Sequence, residues 1–330
     1  MSAAVTPDRI LKELADLWVS LGKPGQGESG AGVLRACSMT LVVLAEASDD
    51  TATLDELLAA LMPEHPARTV IVRLSGAGER TLADRVYAQC WMPFGQRRQI
   101  CCEQIEITAS DAALVDLPSV VLPVAAADLP VIVWSRSGRL AQMPEFRSIA
   151  RMATKAIVDS GEFPNAVDAL WQLADLSRRG LRLGDLAWTR LTRWREALAR
   201  VFENRQYGAR LGSIHRVTVE FGRGLETSAW YMAAWISGAL ADVGVKVETI
   251  VTSVAGIPLR VELEAEAFRV RVGRAGDRLV VETDGYSSCT SMPQPSEYAL
   301  MREELGIVRP DAVYEKTLAA SARLAYSAEK

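Results

Sequence analysis

Apolar side chains recur along this chain with two different periods, and the switches between periods mark out its elements. Residues 7–21 carry Ile10, Leu11, Leu14, Leu17, Trp18 and Leu21 at helical spacing, and Gly22 followed by Lys-Pro-Gly stops that helix. The glycine-rich stretch 25–30 is read as a linker. From residue 35 the pattern changes to short, mostly apolar runs at 39–45, 69–74, 129–134 and 156–160, the pattern of strands covered on both faces. Helical segments at 51–61, 146–153 and 165–179 separate these runs, and 110–127 reads as helix interrupted by Pro118 and Pro123. Residues 80–91 and 99–108 read as two longer strands joined by a turn at 93–98. Buried strands alternating with helices predict an α/β fold: a doubly wound, Rossmann-like, mostly parallel sheet with one antiparallel insertion.

The second half is patterned differently. Between 185 and 202, Leu191, Trp194, Leu198, Val201 and Phe202 form one helical apolar stripe, with Asp185 or Thr189 as its start. Arg190, Arg193 and Arg200 fall off the stripe, between an aromatic face and water. A strand at 213–221 and a helix at 226–243 follow. Strands at 245–251, 259–264, 267–272 and 279–283, expected to be antiparallel, precede closing helices at 295–305 and 311–326. The expected division is a doubly wound domain over 1–180, with 1–34 as helix and linker, and a smaller α+β domain over 181–330 that opens with the Arg/Trp-rich helix.

Charge sharpens interest in that helix. From Arg178 to Arg216 there are ten arginines, no lysine and three acids, a local balance of +7 in a chain whose net charge is −4. Guanidinium presents a planar fork of donors suited to carboxylates and phosphates, and it stacks on aromatic rings. The segment reads either as a recognition surface or as a core helix with a solvated basic face. A net negative chain argues against a general nucleic-acid binder. The apolar runs are too short to cross a bilayer, and the first residues lack a basic start and an apolar signal core, so a cytoplasmic location is expected.

The chemistry of a catalytic site is sparse. The two histidines, His65 and His215, form no metal-spaced pair, and neither a Gly-x-Ser-x-Gly elbow nor a Gly-x-Gly-x-x-Gly loop after the first strand occurs. Asp49 and Asp50 precede a helix, as a cap would. Arg97 and Arg98, beside Glu103, could hold a phosphate or a partner's carboxylate, or form a solvated turn. Five cysteines (Cys37, Cys90, Cys101, Cys102, Cys289) are read as small buried hydrophobes in a reducing compartment. Cys101 and Cys102, adjacent in a strand and facing opposite ways, are the candidates for any redox role. No cofactor and no metal are expected.

Six segments in order carry a family resemblance: Met39-Thr-Leu-Val-Val, His65-Pro-Ala-Arg68-Thr-Val-Ile-Val, Ile100-Cys-Cys-Glu-Gln-Ile, Asp116-Leu-Pro-Ser-Val-Val-Leu-Pro, Asp128-Leu-Pro-Val-Ile-Val-Trp and Asp185-Leu-Ala-Trp-Thr-Arg-Leu-Thr-Arg-Trp-Arg. Together they resemble the OpcA family of glucose-6-phosphate dehydrogenase assembly proteins, from about residue 35 to about 205, with a more divergent remainder that looks like the family's C-terminal domain. The resemblance implies a non-enzymatic partner that assembles or activates that dehydrogenase, in some members under redox control, and supplies no catalytic residues to carry over. The expected contact residues are therefore chosen from the sequence: Trp188, Arg190, Arg193 and Trp194, with Arg97 and Arg98. Reversing the charge of Arg190 and Arg193 is expected to abolish activation of a folded protein. The alternative is a sugar-phosphate or nucleotide sensor, or an enzyme, that uses the doubly wound domain.

Overall fold

The computed structural model of the chain describes residues 5–22, 33–93, 98–307 and 309–328. The expected linker at 25–30 and the tip of the 93–98 turn lie outside the described residues. Two compact units emerge: residues 1–158 with 181–184, and residues 159–180 with 185–330.

In the first unit α1 (Pro7–Leu21) leads to an eight-stranded sheet of β1 (Val33–Arg35), β2 (Met39–Glu46), β3 (Ala67–Leu74), β4 (Leu82–Trp91), β5 (Gln99–Ala109), β6 (Val131–Ser135), β7 (Lys155–Val158) and β8 (Leu183–Asp185). The line β5-β3-β2-β6-β7-β8 reverses direction of growth at β2, which is the doubly wound order. Pairings of β2 with β3 and β6, of β3 with β5, and of β6 with β7 are parallel. β2 and β3 are almost entirely buried because their aliphatic and β-branched side chains meet helices on both faces. The antiparallel insertion is β4, which pairs along β5 from Leu82–Ala109 to Trp91–Ile100. Its exposed pattern suits an edge, and α1 packs on it with Ile10 and Leu14 buried and Arg9 paired to Asp84.

Helix α2 (Thr51–Leu61) follows β2; α3 (Leu117–Val121), α4 (Gly138–Ala141) and α5 (Pro144–Ala150) are short. The 110–127 segment splits into a 3-10 turn and α3 because Pro118 cannot sit inside a continuous helix. Strands β1 and β8 were not expected: three residues each are too few to show a period.

The helix expected to close the first domain, α6 (Ala166–Arg178), groups instead with the second unit, where it packs on α10 (Glu226–Asp242) and α12 (Ala312–Ala328). Asn165 caps its start and Gly180, at φ +90°, ends it. The basic segment forms two helices, not one: α7 (Leu186–Thr189) and α8 (Thr192–Glu203), followed by α9 (Arg205–Gly208). The second sheet comprises β9 (Ile214–Phe221), β10 (Glu248–Ser253), β11 (Leu259–Ala265), β12 (Arg269–Ala275), β13 (Arg278–Thr283) and β14 (Tyr286–Ser291), in the order β10-β9-β11-β12-β13-β14. The expectation of an antiparallel sheet needs one correction: β10 lies parallel to β9, because α10 between them serves as a crossover. One face of the sheet meets α10; along the other, Arg216 pairs with Glu248 and Glu264, Arg260 with Glu220, and Arg271 with Glu262. α11 (Glu297–Gly306) completes the unit.

Candidate functional site

Asp185 organises the start of the basic segment. Its Oδ1 accepts from the amides of Ala187 (2.9 Å), capping α7, and Ser160 (3.0 Å), and its Oδ2 accepts from the Tyr231 hydroxyl at 2.7 Å. The carboxyl is fully buried. Burial, then repulsion from Asp159, pushes its pKa up to about 6 against the pull of its hydrogen bonds. Behind it Trp188 is only 3 % exposed, edge-on to Tyr231 and tilted on Tyr314, with Nε1 donating to Asp311 at 3.3 Å. The Arg195 guanidinium lies 3.5 Å from the centre of the Trp188 ring, and burial pulls its pKa down to about 10. The Thr189 hydroxyl lies 2.7 Å from Oε1 of the buried Glu304.

Arg190 points both fork ends at Asp159, at 2.8 and 2.6 Å. Trp194 is buried, as its stripe requires. Arg193 is the outward-facing member, 74 % exposed and 3.4 Å from Glu196. Of the four residues expected to form a surface, the two tryptophans therefore face inward, Trp194 on the apolar stripe and Trp188 against Tyr231 and Tyr314, because a buried indole gains more than one standing in water, and Arg190 is engaged by Asp159. Arg98 is exposed in the first unit, and Arg97 lies outside the described residues.

A cleft of about 820 Å³ opens beside α8, within the second unit. Trp194, Leu259, Leu279 and Met292 contribute its apolar lining, while Arg190, Arg193, Arg200 and Arg274 supply cations. Glu196 and Glu303 are the acids on its wall. It gathers Arg190, Arg193 and Trp194, which the sequence singled out, with strand and loop residues that sequence spacing could not bring to them.

The first unit offers a second place to look, at the carboxyl ends of the parallel strands near the β2 reversal point. There Asp50 spends its carboxylate on the Ala52 and Thr53 amides at the start of α2, at 3.2 and 3.3 Å. Glu46 accepts from Ser137 (2.8 Å) and Arg139 (2.9 Å), and the Arg139 hydrogen bond leads its low pKa. Asp49 stands 3.3 Å from Arg136. The helix N-terminal amides that hold a pyrophosphate in nucleotide-binding versions of this fold are thus capped by the chain's own carboxylate, with further acids alongside. Among the described residues no group of three or more His, Cys, Asp or Glu is placed to hold a metal ion, and no helix is long and apolar enough to cross a membrane.

The reading of all five cysteines as reduced, buried hydrophobes holds for Cys102 alone: Cys289 is exposed, Cys37 is half-buried, and the other two are bonded to each other. Cys90 and Cys101 face each other in the antiparallel register of β4 and β5, with Cα atoms 4.0 Å apart, and form a disulfide. Cys102 points to the other face as expected, and burial pushes its thiol up to about 11, away from thiolate chemistry at neutral pH.

Comparison with known proteins adds identity to this geometry. Residues 59–175 match the family model described as glucose-6-phosphate dehydrogenase subunit N-terminal domain, and residues 181–318 match its C-terminal domain counterpart. The OxPP cycle protein OpcA of Synechocystis sp. is 26 % identical over 53 % of this chain and 37 % of its own length. The protein of the same description from Nostoc punctiforme is 29 % identical over 43 % of this chain and 30 % of its own. The chain thus matches about a third of the length of these two relatives. Among solved structures, the 3-ketoreductase KijD10 from Actinomadura kijaniata superposes with a TM-score of 0.47 and 11 % identity, over 87 % of this chain and 96 % of that one.

Proposed function

We propose, from the premise that this chain belongs to the OpcA family of glucose-6-phosphate dehydrogenase subunit proteins, that it is a non-catalytic partner which binds that dehydrogenase and favours its active oligomer or high-affinity state. The observation that carries this reading is the pair of family matches, one in each half of the chain, both described as domains of a subunit of that enzyme. The exposed arginines beside the α8 cleft support it, since they offer carboxylates of a partner a place to pair. A binding partner raises activity only through differential affinity for the states of the enzyme it binds. A coupling of about 1–3 kcal/mol corresponds to a roughly 5- to 150-fold change in substrate affinity.

The experiment is a titration of this protein into the purified dehydrogenase of the same organism, with initial rates followed against glucose 6-phosphate and light scattering recorded on the same mixture. A fall in apparent KM together with a larger complex is the expected result. Unchanged rates and scattering at saturating concentrations, under reducing and oxidising conditions alike, would refute the reading. The double charge reversal expected to probe the surface has to move from Arg190 to another arginine, because Glu at position 190 would face Asp159 across a part-buried pair and disturb the fold.

A further inference from the structure

The α8 cleft has features that its role as a basic surface does not use. Its apolar lining is formed by Trp194 from the helix, Leu259 and Leu279 from the inner side of the sheet, and Met292 just beyond β14. Among the described residues β14 is the last strand of its sheet, paired on one side with β13 alone, and its six residues, Tyr-Ser-Ser-Cys-Thr-Ser, include no charge and no proline. Natural edges are commonly blunted by those two devices, so this one remains competent to pair. Thr290 and Ser291 of that strand line the cleft, so the free edge and the apolar lining share one opening.

The cations are spaced as well as placed. Arg193 and Arg200 stand seven residues apart on α8, roughly 10 Å along the helix axis at 1.5 Å per residue. That spacing sets the two side-chain stems apart along the cleft wall. About three residues of extended chain, at roughly 3.3 Å each, cover it. Arg200 makes no ion pair among the described residues, Arg193 has only its helical neighbour Glu196, and Arg274 donates Nε to the Gly276 carbonyl at 2.7 Å. Three arginines of the cleft thus keep donor capacity for an incoming group.

From this arrangement we infer that the cleft receives an extended acidic segment of the dehydrogenase, which pairs with the free edge of β14, seats an apolar side chain against Trp194 and Leu279, and sets carboxylates on Arg193 and Arg200. The inference rests on the proposed function and names the part of the partner that is bound. Strand addition supplies affinity through the backbone and specificity through alternate side chains, which is what an apolar lining with flanking cations reads.

The test uses the full chain and the purified dehydrogenase. R193E/R200E is compared with R205E/R210E, which makes the same charge change at exposed arginines that do not line the cleft. Binding is measured by calorimetry. Hydrogen exchange is followed on the wild-type complex, where no folding defect can intervene. The expected result is at least a tenfold loss of affinity for R193E/R200E, less than threefold for the control pair, and new protection of the 286–292 amides on binding. A bulky substitution at the cleft wall, A197W, is expected to weaken binding as the charge reversal does, since Ala197 lines the cleft. Wild-type binding with equal losses in the two charge variants, or with no protection at 286–292, overturns the cleft assignment and leaves the partner role standing. No binding by the wild type overturns both.

Discussion

Asp185 offers the sharpest test of how the basic segment is held. In the folded chain its carboxyl is fully buried with a pKa near 6, against 3.8 for the free group. The folded state therefore binds the proton more tightly, so this group's contribution to stability is present below pH 3.8 and is lost as pH rises through 6. The full loss is about 3 kcal/mol, of which about 2 kcal/mol falls between pH 4.5 and 7.5. Asp185→Asn removes the titration while retaining an oxygen for the amides of Ser160 and Ala187, and the Tyr231 hydroxyl can turn to accept from the new amide. Urea unfolding of both proteins at pH 4.5 and 7.5, followed by tryptophan fluorescence, gives the comparison. Between those pH values the wild type should lose about 2 kcal/mol relative to D185N, titrating groups that do not touch Asp185 cancelling in the difference. A stability gap that stays constant with pH would show that Asp185 is ionised in the fold at an ordinary pKa, and the account of the buried cap would fail.

Other parts of the fold can be tested in the same way. Glu103, 2 % exposed, accepts from Arg68 at 2.6 Å and pairs with Arg35 at 2.8 Å, so E103A leaves buried guanidinium unmatched and should cost about 3–5 kcal/mol by urea denaturation. C90S should lower the unfolding free energy of the oxidised protein, read from urea denaturation, by up to about 3 kcal/mol for so short a loop, and should match the wild type once reductant is added. NADP at millimolar concentration should leave Tm unchanged, because Asp50 already occupies the α2 amides where the pyrophosphate would lie; a rise of several degrees would revive the sensor or enzyme reading.

The doubly wound architecture was legible because its central strands advertise themselves. Runs such as Thr-Leu-Val-Val-Leu-Ala in β2 are apolar on both faces, which only a covered parallel sheet tolerates. The three-residue strands β1 and β8 carried no period to read, and the parallel pairing of β10 depends on where α10 returns the chain. The disulfide was hidden in plain view: both strands were expected, but the Cys90–Cys101 pairing follows from a register that strand limits alone do not set.

The basic segment shows why composition alone misplaces a surface. Arg, Trp and Asp in one stretch look like recognition chemistry, yet Asp185, Trp188 and Trp194 are buried and Arg190 and Arg195 are spent on Asp159 and Trp188. A buried polar group needs a partner at a fixed position, so such residues come with demanding neighbours: Ser160, Tyr231, Glu304 and Asp311, all distant in sequence. Unusual wording in a segment can therefore mark an internal network as readily as a contact surface. What remains for a partner is the periphery of that network, Arg193 and Arg200, which α8 can present at a set spacing because the residues between them are anchored by Trp194 and Leu198. A D185N chain that keeps its fold should therefore bind the dehydrogenase as the wild type does, whereas R193E/R200E should not, and equal binding by both would place the contact elsewhere on the molecule.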